Sequence, residues 1–284
     1  MKQILIFGSG SIGNHMAYAC RKLKHNVCVT DVDNLALKRM KNKIFPKRYK
    51  YWDKKISLIK YHDVFKIKNK LDLIIIGTPP KTHLSLYEQC KNKLNFNKIL
   101  IEKPLTYYAN KNLKKFEKNT NQKNIFCGYN HSVSKSFKYF LSTLKKKNYK
   151  AKNIEVSWRE SWHGILKAHF WLKNEFSSYL GNIKSGGGAL QEHSHGLHLL
   201  NLILKNYGIK LKNTNFKSKS IYSSQKKNKY DVFTSLFGIK NKIFFNYKTD
   251  LLTSPPDKSI KISNDKDEIH LIFNYKPNQD AVII

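Results

Sequence analysis

Acidic residues are scarce in this 284-residue chain: 19 Asp and Glu stand against 53 Lys and Arg, a formal charge of +34. Lysines that neutralise phosphates release counterions and bind nucleic acid without reading sequence, so such an excess raises the question of a polyanionic partner. Here, however, the lysines run through the whole chain among many asparagines and isoleucines, as a coding bias produces. The expectation is a solvated basic surface with no specific nucleic-acid partner and a mild pull on acidic substrates such as nucleotide sugars. Cysteine is sparse too: Cys20, Cys28, Cys90 and Cys127 are scattered, with no CxxC pair and no neighbour that argues for a nucleophile. That suits reduced, mostly buried thiols in a reducing compartment. No apolar run approaches the roughly 20 residues a membrane helix needs. No charged leader with an apolar centre precedes the first strand, so a cytoplasmic protein without a membrane partner is expected. An internal repeat and a low-complexity linker are also missing, which predicts two tightly apposed domains with a boundary near Cys127 to His131, written as 1–127 and 128–284. What the chain does have is 40% apolar and 13% aromatic residues, enough for a sizeable core.

The organising stretch is the first one. KQILIF reads as a strand and feeds into GSGSIG, residues Gly8, Ser9, Gly10, Ser11, Ile12 and Gly13, after which NHMAYACRKL has helical periodicity. Strand, glycine turn and helix are the context a dinucleotide fingerprint needs. Gly8 allows the tight turn, Gly10 lets the backbone approach a pyrophosphate, and Gly13 lets the helix lie against the strand. The phosphates then meet the open N–H groups and positive end of the helix. An ordinary glycine turn is the alternative. The alternating strand HNVCVTDVD ends at Asp31, the acid expected about 20 residues on to accept from the ribose hydroxyls. The same carboxylate repels a 2′-phosphate, so NAD is expected, while Lys38 and Arg39 leave NADP open. Asp33 takes this role if the strand ends later; the structural alternative for Asp31 is a turn former.

Further on, NLALKRMKNK is helical in pattern, a lysine- and tyrosine-rich stretch runs to about Tyr61, and HDVFKIKNK reads as a short helix. LDLIII is a continuous apolar run of the buried parallel-strand type, ending at Gly77, Thr78 and Pro79. THLSLYEQCKNK restarts a helix with Thr82 as its cap and His83 facing the strand ends. KILIEKPL is the next strand, closing at Glu102, Lys103 and Pro104, and NIFCGYN follows a polar helix near 111–119. This alternation predicts an α/β fold with a doubly wound parallel sheet. From about His131 the texture changes to an amphipathic helix, SKSFKYFLSTLKKK, an alternating strand, KNIEVSWRESW, and a long irregular segment. GGGALQEHSHGLHLLNLILKN is expected to be a glycine cluster opening one apolar helix, and the stretch from Phe216 to Phe273 an antiparallel sheet.

GSGSIG, GTPPKTH, IEKPL, GYNHS and GGGALQEHSH occur in the order found in the Gfo/Idh/MocA oxidoreductases, which the chain resembles over nearly its whole length. The resemblance implies a Rossmann domain for NAD or NADP. It also implies a smaller α+β domain with an open, mainly antiparallel sheet that closes a substrate cleft and builds a homodimer or homotetramer. Sugars, inositols and nucleotide-linked sugars are the implied substrates. Lys103 is implied to lie beside the nicotinamide and the substrate hydroxyl, with His195 as acid/base. Gly77, Thr78, Pro79, His83, Glu102 and Asn130 join the fingerprint as cofactor-binding positions.

The residue types fit those roles. An alcohol oxidation needs a base for the hydroxyl proton, and a histidine suits reversible proton transfer near neutrality. A lysine at a strand end can donate to a developing alkoxide. Many relatives carry an aspartate four residues before the histidine; here that position is Gln191, and the acid is Glu192, three before. Glu192 is the expected orienting carboxylate, since a spacing of three or four shares a helical face. His193, His195 and His198 do not form a ligand set with a second cluster, so no metal is expected. Between Trp162 and Trp171, Lys167 and His169 are the substrate candidates, and Tyr129 is placed with Asn130 at the cleft. Trp158 and Trp171 read equally well as an aromatic plug under the sheet. The other functional class is a non-catalytic sensor of a dinucleotide with the same fold.

Overall fold

The computed structural model describes residues 1–108, 110–119, 122–224 and 229–284. The chain forms two compact units, Met1–Gly128 and Tyr129–Ile284.

In the first unit six strands pair in parallel in the order β3-β2-β1-β4-β5-β6. They are β1 Gln3–Phe7, β2 Asn26–Asp31, β3 Ile56–Lys60, β4 Leu71–Ile76, β5 Phe96–Ile101 and β6 Ile125–Cys127. The helices are α1 Ser11–Lys22, α2 Asn34–Arg39, α3 Phe45–Tyr49, α4 Tyr61–Val64, α5 His83–Lys93 and α6 Leu113–Asn119. ILIF and LDLIII are apolar at successive positions because both faces of a parallel sheet are covered. Leu5, Phe7, Ile74 and Ile76 point into one core with Leu84 and Tyr87 of α5. Ile4, Ile6 and Ile75 point into the other with Ala17 of α1 and Met40. The strand order reverses between β1 and β4, which opens a crevice at their carboxyl ends. Two expectations need correction. The lysine- and tyrosine-rich stretch contains β3, an edge strand in which only Ile56 is buried and whose apolar signal is correspondingly weak. The helix after Asp33 runs on through a π-helical turn, Met40–Ile44, into α3.

In the second unit seven strands take the order β13-β12-β11-β7-β10-β9-β8. They are β7 Asn153–Arg159, β8 Phe216–Tyr222, β9 Asp231–Lys240, β10 Ile243–Asp250, β11 Asp257–Ser263, β12 Glu268–Lys276 and β13 Gln279–Ile283. All pairs are antiparallel except β7 with β10. The hairpin β9–β10 turns through Asn241 and Lys242, with φ of 51° and 62°. Positive φ at both positions of a two-residue loop matches the twist of the strands it joins. Helix α7, Lys135–Lys146, is fixed at its start by the Ser134 hydroxyl, which accepts from the Phe137 N–H. Its Phe137, Phe140 and Leu144 pack with Leu199, Leu200 and Ile203 on Ile154, Val156, Phe245 and Tyr247 of the sheet. The segment expected to be irregular contains a helix, α8 Trp162–Ala168. The single apolar helix expected after the glycines is two, α9 Ala189–Glu192 and α10 Ser194–Asn206, broken at His193.

Among the described residues no helix is long and apolar enough to cross a membrane.

Candidate functional site

The fingerprint turn is built so that almost no residue but glycine fits two of its positions. Gly8 has φ +98°, and a Cβ there would lie 2.7 Å from the Gly77 carbonyl oxygen; at Gly13 a Cβ would lie 1.9 Å from the Gly8 carbonyl oxygen. Strand, loop and helix are therefore in backbone contact. Gly10 differs: nothing stands within 4 Å of where its Cβ would be. Helix α1 starts beside it with no side-chain cap and no acid in the first turn. An open helix start without a carboxylate fits a pyrophosphate. Two side chains that the sequence did not single out hold this loop. Buried Asn14 donates its amide to the carbonyls of Ser9 at 2.9 Å and Gly10 at 2.7 Å. Arg48 of α3 donates to the Ser11 carbonyl at 3.1 Å and its hydroxyl at 3.0 Å, bringing a cation to the loop.

Asp31 faces the same turn. Its Oδ2 accepts from the Ser9 N–H at 2.8 Å and the Ser9 hydroxyl at 2.7 Å, and its Oδ1 accepts from the Asp33 N–H at 3.0 Å. A carboxylate offers about four acceptor positions, so Oδ1 keeps capacity for a ribose hydroxyl. Ser9 is 1% exposed, its side chain committed to Asp31. Asp33, the alternative acid, caps α2 through the Leu35 N–H at 2.8 Å. Lys38 lines a hollow of ≈ 700 Å³ with Lys41, Lys60 and the apolar floor of Leu37 and Leu58.

At the strand ends, Glu102 is 6% exposed and its carboxylate fills the space beside Gly128, where a Cβ would lie 2.4 Å from Oε1. The Lys103 N–H donates to Glu102 Oε2 at 3.2 Å, so the carboxylate braces the turn from which the lysine side chain departs. Burial pushes the neighbouring Cys127 thiol up to about 12 and Cys90 to about 12, far from thiolate chemistry. His83 is fully buried: Nε2 lies 2.7 Å from the Thr78 carbonyl, and Nδ1 lies 3.1 Å and 3.2 Å from those of Pro104 and Leu105. The sequence reading gave His83 to the cofactor, but its ring is spent on tying the end of β4 to the turn after Lys103. Thr82 does not cap α5; its hydroxyl lies 2.8 Å from the Pro79 carbonyl and 2.8 Å from Thr78 Oγ1.

In the second unit the helix break at His193 separates Glu192, the last residue of α9, from His195 in the first turn of α10. Around His195 the structure gathers rings that the sequence did not assign to it. His131 lies 4.8 Å away edge-on, Tyr129 5.7 Å and Trp158 5.8 Å, all between ring centroids. Tyr129 also stacks on His198 at 4.3 Å. Burial, and then Lys205, hold His198 below its usual imidazole range. Trp158 is buried under the sheet and touches His195, so it is both a plug and a wall of the site. Asn130 is exposed in the turn that follows Tyr129. Lys167 is exposed on α8, whereas His169 ends that helix, its Nδ1 2.7 Å from the Ile165 carbonyl. Among the described residues no group of three His, Cys, Asp or Glu is arranged to hold a metal.

The last glycine of the cluster is explained by Asp231. A Cβ on Gly188, at φ +94°, would lie 2.0 Å from Asp231 Oδ1, and Oδ2 accepts the Leu190 N–H at 2.8 Å. Burial pushes the Asp231 carboxyl above its ordinary 3.8, against hydrogen bonds from Leu190 and Thr234 that lower it. A carboxyl raised by folding stabilises the fold while protonated; that contribution is full below the unfolded value and is lost as pH rises through the folded one. Relative to Asp231→Asn, the wild-type protein is therefore expected to lose stability from about pH 4 upward. Urea unfolding of both proteins at successive pH values measures this, and a flat difference would refute it.

Residues 2–129 match the Gfo/Idh/MocA oxidoreductase family, NAD-binding Rossmann fold. The match is to an NAD-binding domain, and the open loop at Gly10 with Asp31 is where the residues of this unit fit that cofactor. The whole chain is similar in fold to solved structures at low identity. The WlbA dehydrogenase from Bordetella pertussis, in complex with NADH and UDP-GlcNAcA, is 14% identical with a TM-score of 0.70, over 96% of this chain and 74% of that one. A myo-inositol dehydrogenase from Corynebacterium glutamicum is 15% identical with a TM-score of 0.69, over 95% and 74%. An oxidoreductase from Agrobacterium radiobacter, in complex with NAD+, L-tartaric acid and magnesium, is 13% identical with a TM-score of 0.70, over 99% and 79%. No curated protein sequence matches the chain.

Proposed function

We propose that the protein is an NAD-dependent dehydrogenase or reductase for a hydroxyl or keto carbon of a sugar or nucleotide-sugar. The observation that carries this is the fingerprint loop, open at Gly10 and backed by Asp31, in a Gfo/Idh/MocA domain that keeps Lys103 at a braced strand end. NAD supplies the hydride acceptor when bound. The Gly8–Gly13 turn holds its phosphates, and Asp31 Oδ1 accepts from its ribose. Gly77, Thr78, Pro79, Glu102 and Asn130 are proposed to complete its surroundings, with His83 acting only through the turns it ties.

Lys103 donates to the substrate oxygen and stabilises charge that develops there. His195 takes the hydroxyl proton, oriented by Glu192 and walled by Tyr129, His131 and Trp158, which limit the water around the ring. Lys167 and His169 are proposed to bind hydroxyl or anionic groups of the substrate, a class that the basic surface also attracts. Sugar-type substrates are supported by the fold neighbours, one of which is in complex with UDP-GlcNAcA and another of which is a myo-inositol dehydrogenase. A cytoplasmic homodimer or homotetramer is part of the same proposal.

The test is a fluorescence titration with NADH and NADPH, followed by a screen of sugars, inositols and UDP-sugars for NAD reduction at neutral pH. NADH is expected to bind more tightly than NADPH, and a member of the pool to give turnover that His195→Asn abolishes. Absence of binding to either nucleotide would sink the reading.

A second reading, a non-catalytic dinucleotide sensor, is favoured by one observation. Gln191 stands where many relatives carry an aspartate and is 8% exposed, and neither of its amide atoms has a hydrogen-bond partner among the described residues. Tight NADH binding without turnover of any pool member would select the sensor.

A further inference from the structure

Three buried side chains of the second sheet hold the segment that leads to His195. Asp231, 3% exposed at the start of β9, accepts the Leu190 N–H at 2.8 Å. The Thr249 hydroxyl of β10 donates to the Ala189 carbonyl at 3.2 Å. Fully buried Tyr247, two residues earlier on the same strand, donates its hydroxyl to the His193 carbonyl at 2.7 Å. Helix α9 is thus fixed to the sheet at its first turn and at the residue that follows it.

The His193 carbonyl is also where the helix breaks. It accepts the Gly196 N–H at 3.1 Å, and His193 itself has φ −96° and ψ 19°. A side-chain group inserted into the helical hydrogen-bond ladder is an identifiable cause of a kink. The next turn, Ser194 to Gly196, then settles on the ring that caused the bend. A Cβ on Gly196 would lie 2.6 Å from Tyr247 Cε2 and 2.8 Å from Trp158 Cβ, so only a glycine lets the turn come this close. His195 is the residue immediately before that contact. A phenylalanine at 247 would fill the same core volume; the hydroxyl, costly to bury without a partner, gives its proton to the His193 carbonyl.

We propose that Tyr247 is a positioning residue for His195: its hydroxyl bends the chain at His193 and its ring seats the turn, while Asp231 and Thr249 anchor the helix before the bend. This rests on His195 being the acid/base. Tyr247 does not touch the reacting atoms; it sets the place and surroundings of the imidazole next to His131 and Tyr129.

The experiment follows the His195 ring directly by nitrogen–proton correlation spectra of histidine-labelled protein across pH, with the His195 signal identified by its loss in His195→Asn. Tyr247→Phe keeps the ring and removes the donor. The midpoint of His195 titration is expected to move by about half a pH unit or more, with a changed tautomer ratio, because its surroundings change. His62, exposed in the other unit, is expected to keep its midpoint, and NADH affinity to stay within about twofold. Thr249→Val is expected to move His195 in the same direction and less. Once the pool screen gives a substrate, Tyr247→Phe is expected to lower kcat about tenfold or more with KM unchanged, as misplacement of a reacting group does. A His195 midpoint and tautomer ratio that stay put in both variants would overturn the proposal, whatever happens to kcat. If the screen finds no turnover, the dehydrogenase reading fails while the spectra still decide the positioning. Should Tyr247→Phe not fold, Thr249→Val decides by the same criterion.

Discussion

Lys103→Ala is expected to lower kcat/KM by about a hundred- to a thousandfold, the cost of removing one donor to a developing oxyanion. NADH affinity is expected to stay within about threefold, because on the proposed reading the phosphates and ribose are held elsewhere, at the glycine turn and Asp31. Glu102 makes this separation possible. Its buried carboxylate accepts the Lys103 N–H and fills the space beside Gly128, so the backbone of the turn does not depend on the lysine ammonium. Steady-state kinetics with the substrate found in the screen, together with the NADH titration, measure both halves. A Lys103→Ala protein with full activity would remove the lysine from the chemistry; one that loses NADH as well would make it a cofactor anchor.

The second large effect lies in the turn itself. Gly13→Ala would place a Cβ 1.9 Å from the Gly8 carbonyl oxygen, backbone against backbone, where no flexible side chain can give way. Strand β1 and helix α1 must then separate, at a cost of about 3 kcal/mol or more, the upper end of overpacking penalties. Gly10→Ala is the contrast, since nothing lies within 4 Å of its Cβ position. That variant is expected to keep its unfolding midpoint and lose NADH affinity, because the methyl group enters only the open space where the proposed reading puts the pyrophosphate. Denaturant unfolding and NADH titration of the pair separate the two roles. Equal stability of Gly13→Ala and the wild type would show that the helix does not need this approach.

Much of this is legible in the sequence alone, for physical reasons that differ by element. The parallel strands announce themselves because both faces are covered, so LDLIII is apolar throughout. Strand β3 escaped because it is an edge strand that buries only Ile56 and alternates weakly among lysines. Asp31 was legible from spacing, but Asn14 and Arg48 were not: each acts through a backbone carbonyl, which no residue pattern encodes. The position of His83 at the strand ends is legible, but the carbonyls its ring lies against are not, because the sequence carries no sign that Pro104 and Leu105 turn them back toward α5. The break at His193 was invisible for a similar reason. Its cause, Tyr247, stands 54 residues further on, and ALQEHSHGLHLL reads as one helix without it.

The hairpin between β9 and β10 has a bearing on all of this through register alone. Its two-residue turn, Asn241 and Lys242, sets Tyr247 opposite Leu236 with both side chains turned to the core, and sends Asn246 and Lys248 to the other face. Because side chains alternate with a period of two, a slip of one residue exchanges the faces completely. An insertion or deletion of a single residue at that turn would bring an amide or an ammonium under the His193 carbonyl and carry the phenol away. The length of a surface turn thus governs which chemical group meets the bend before His195.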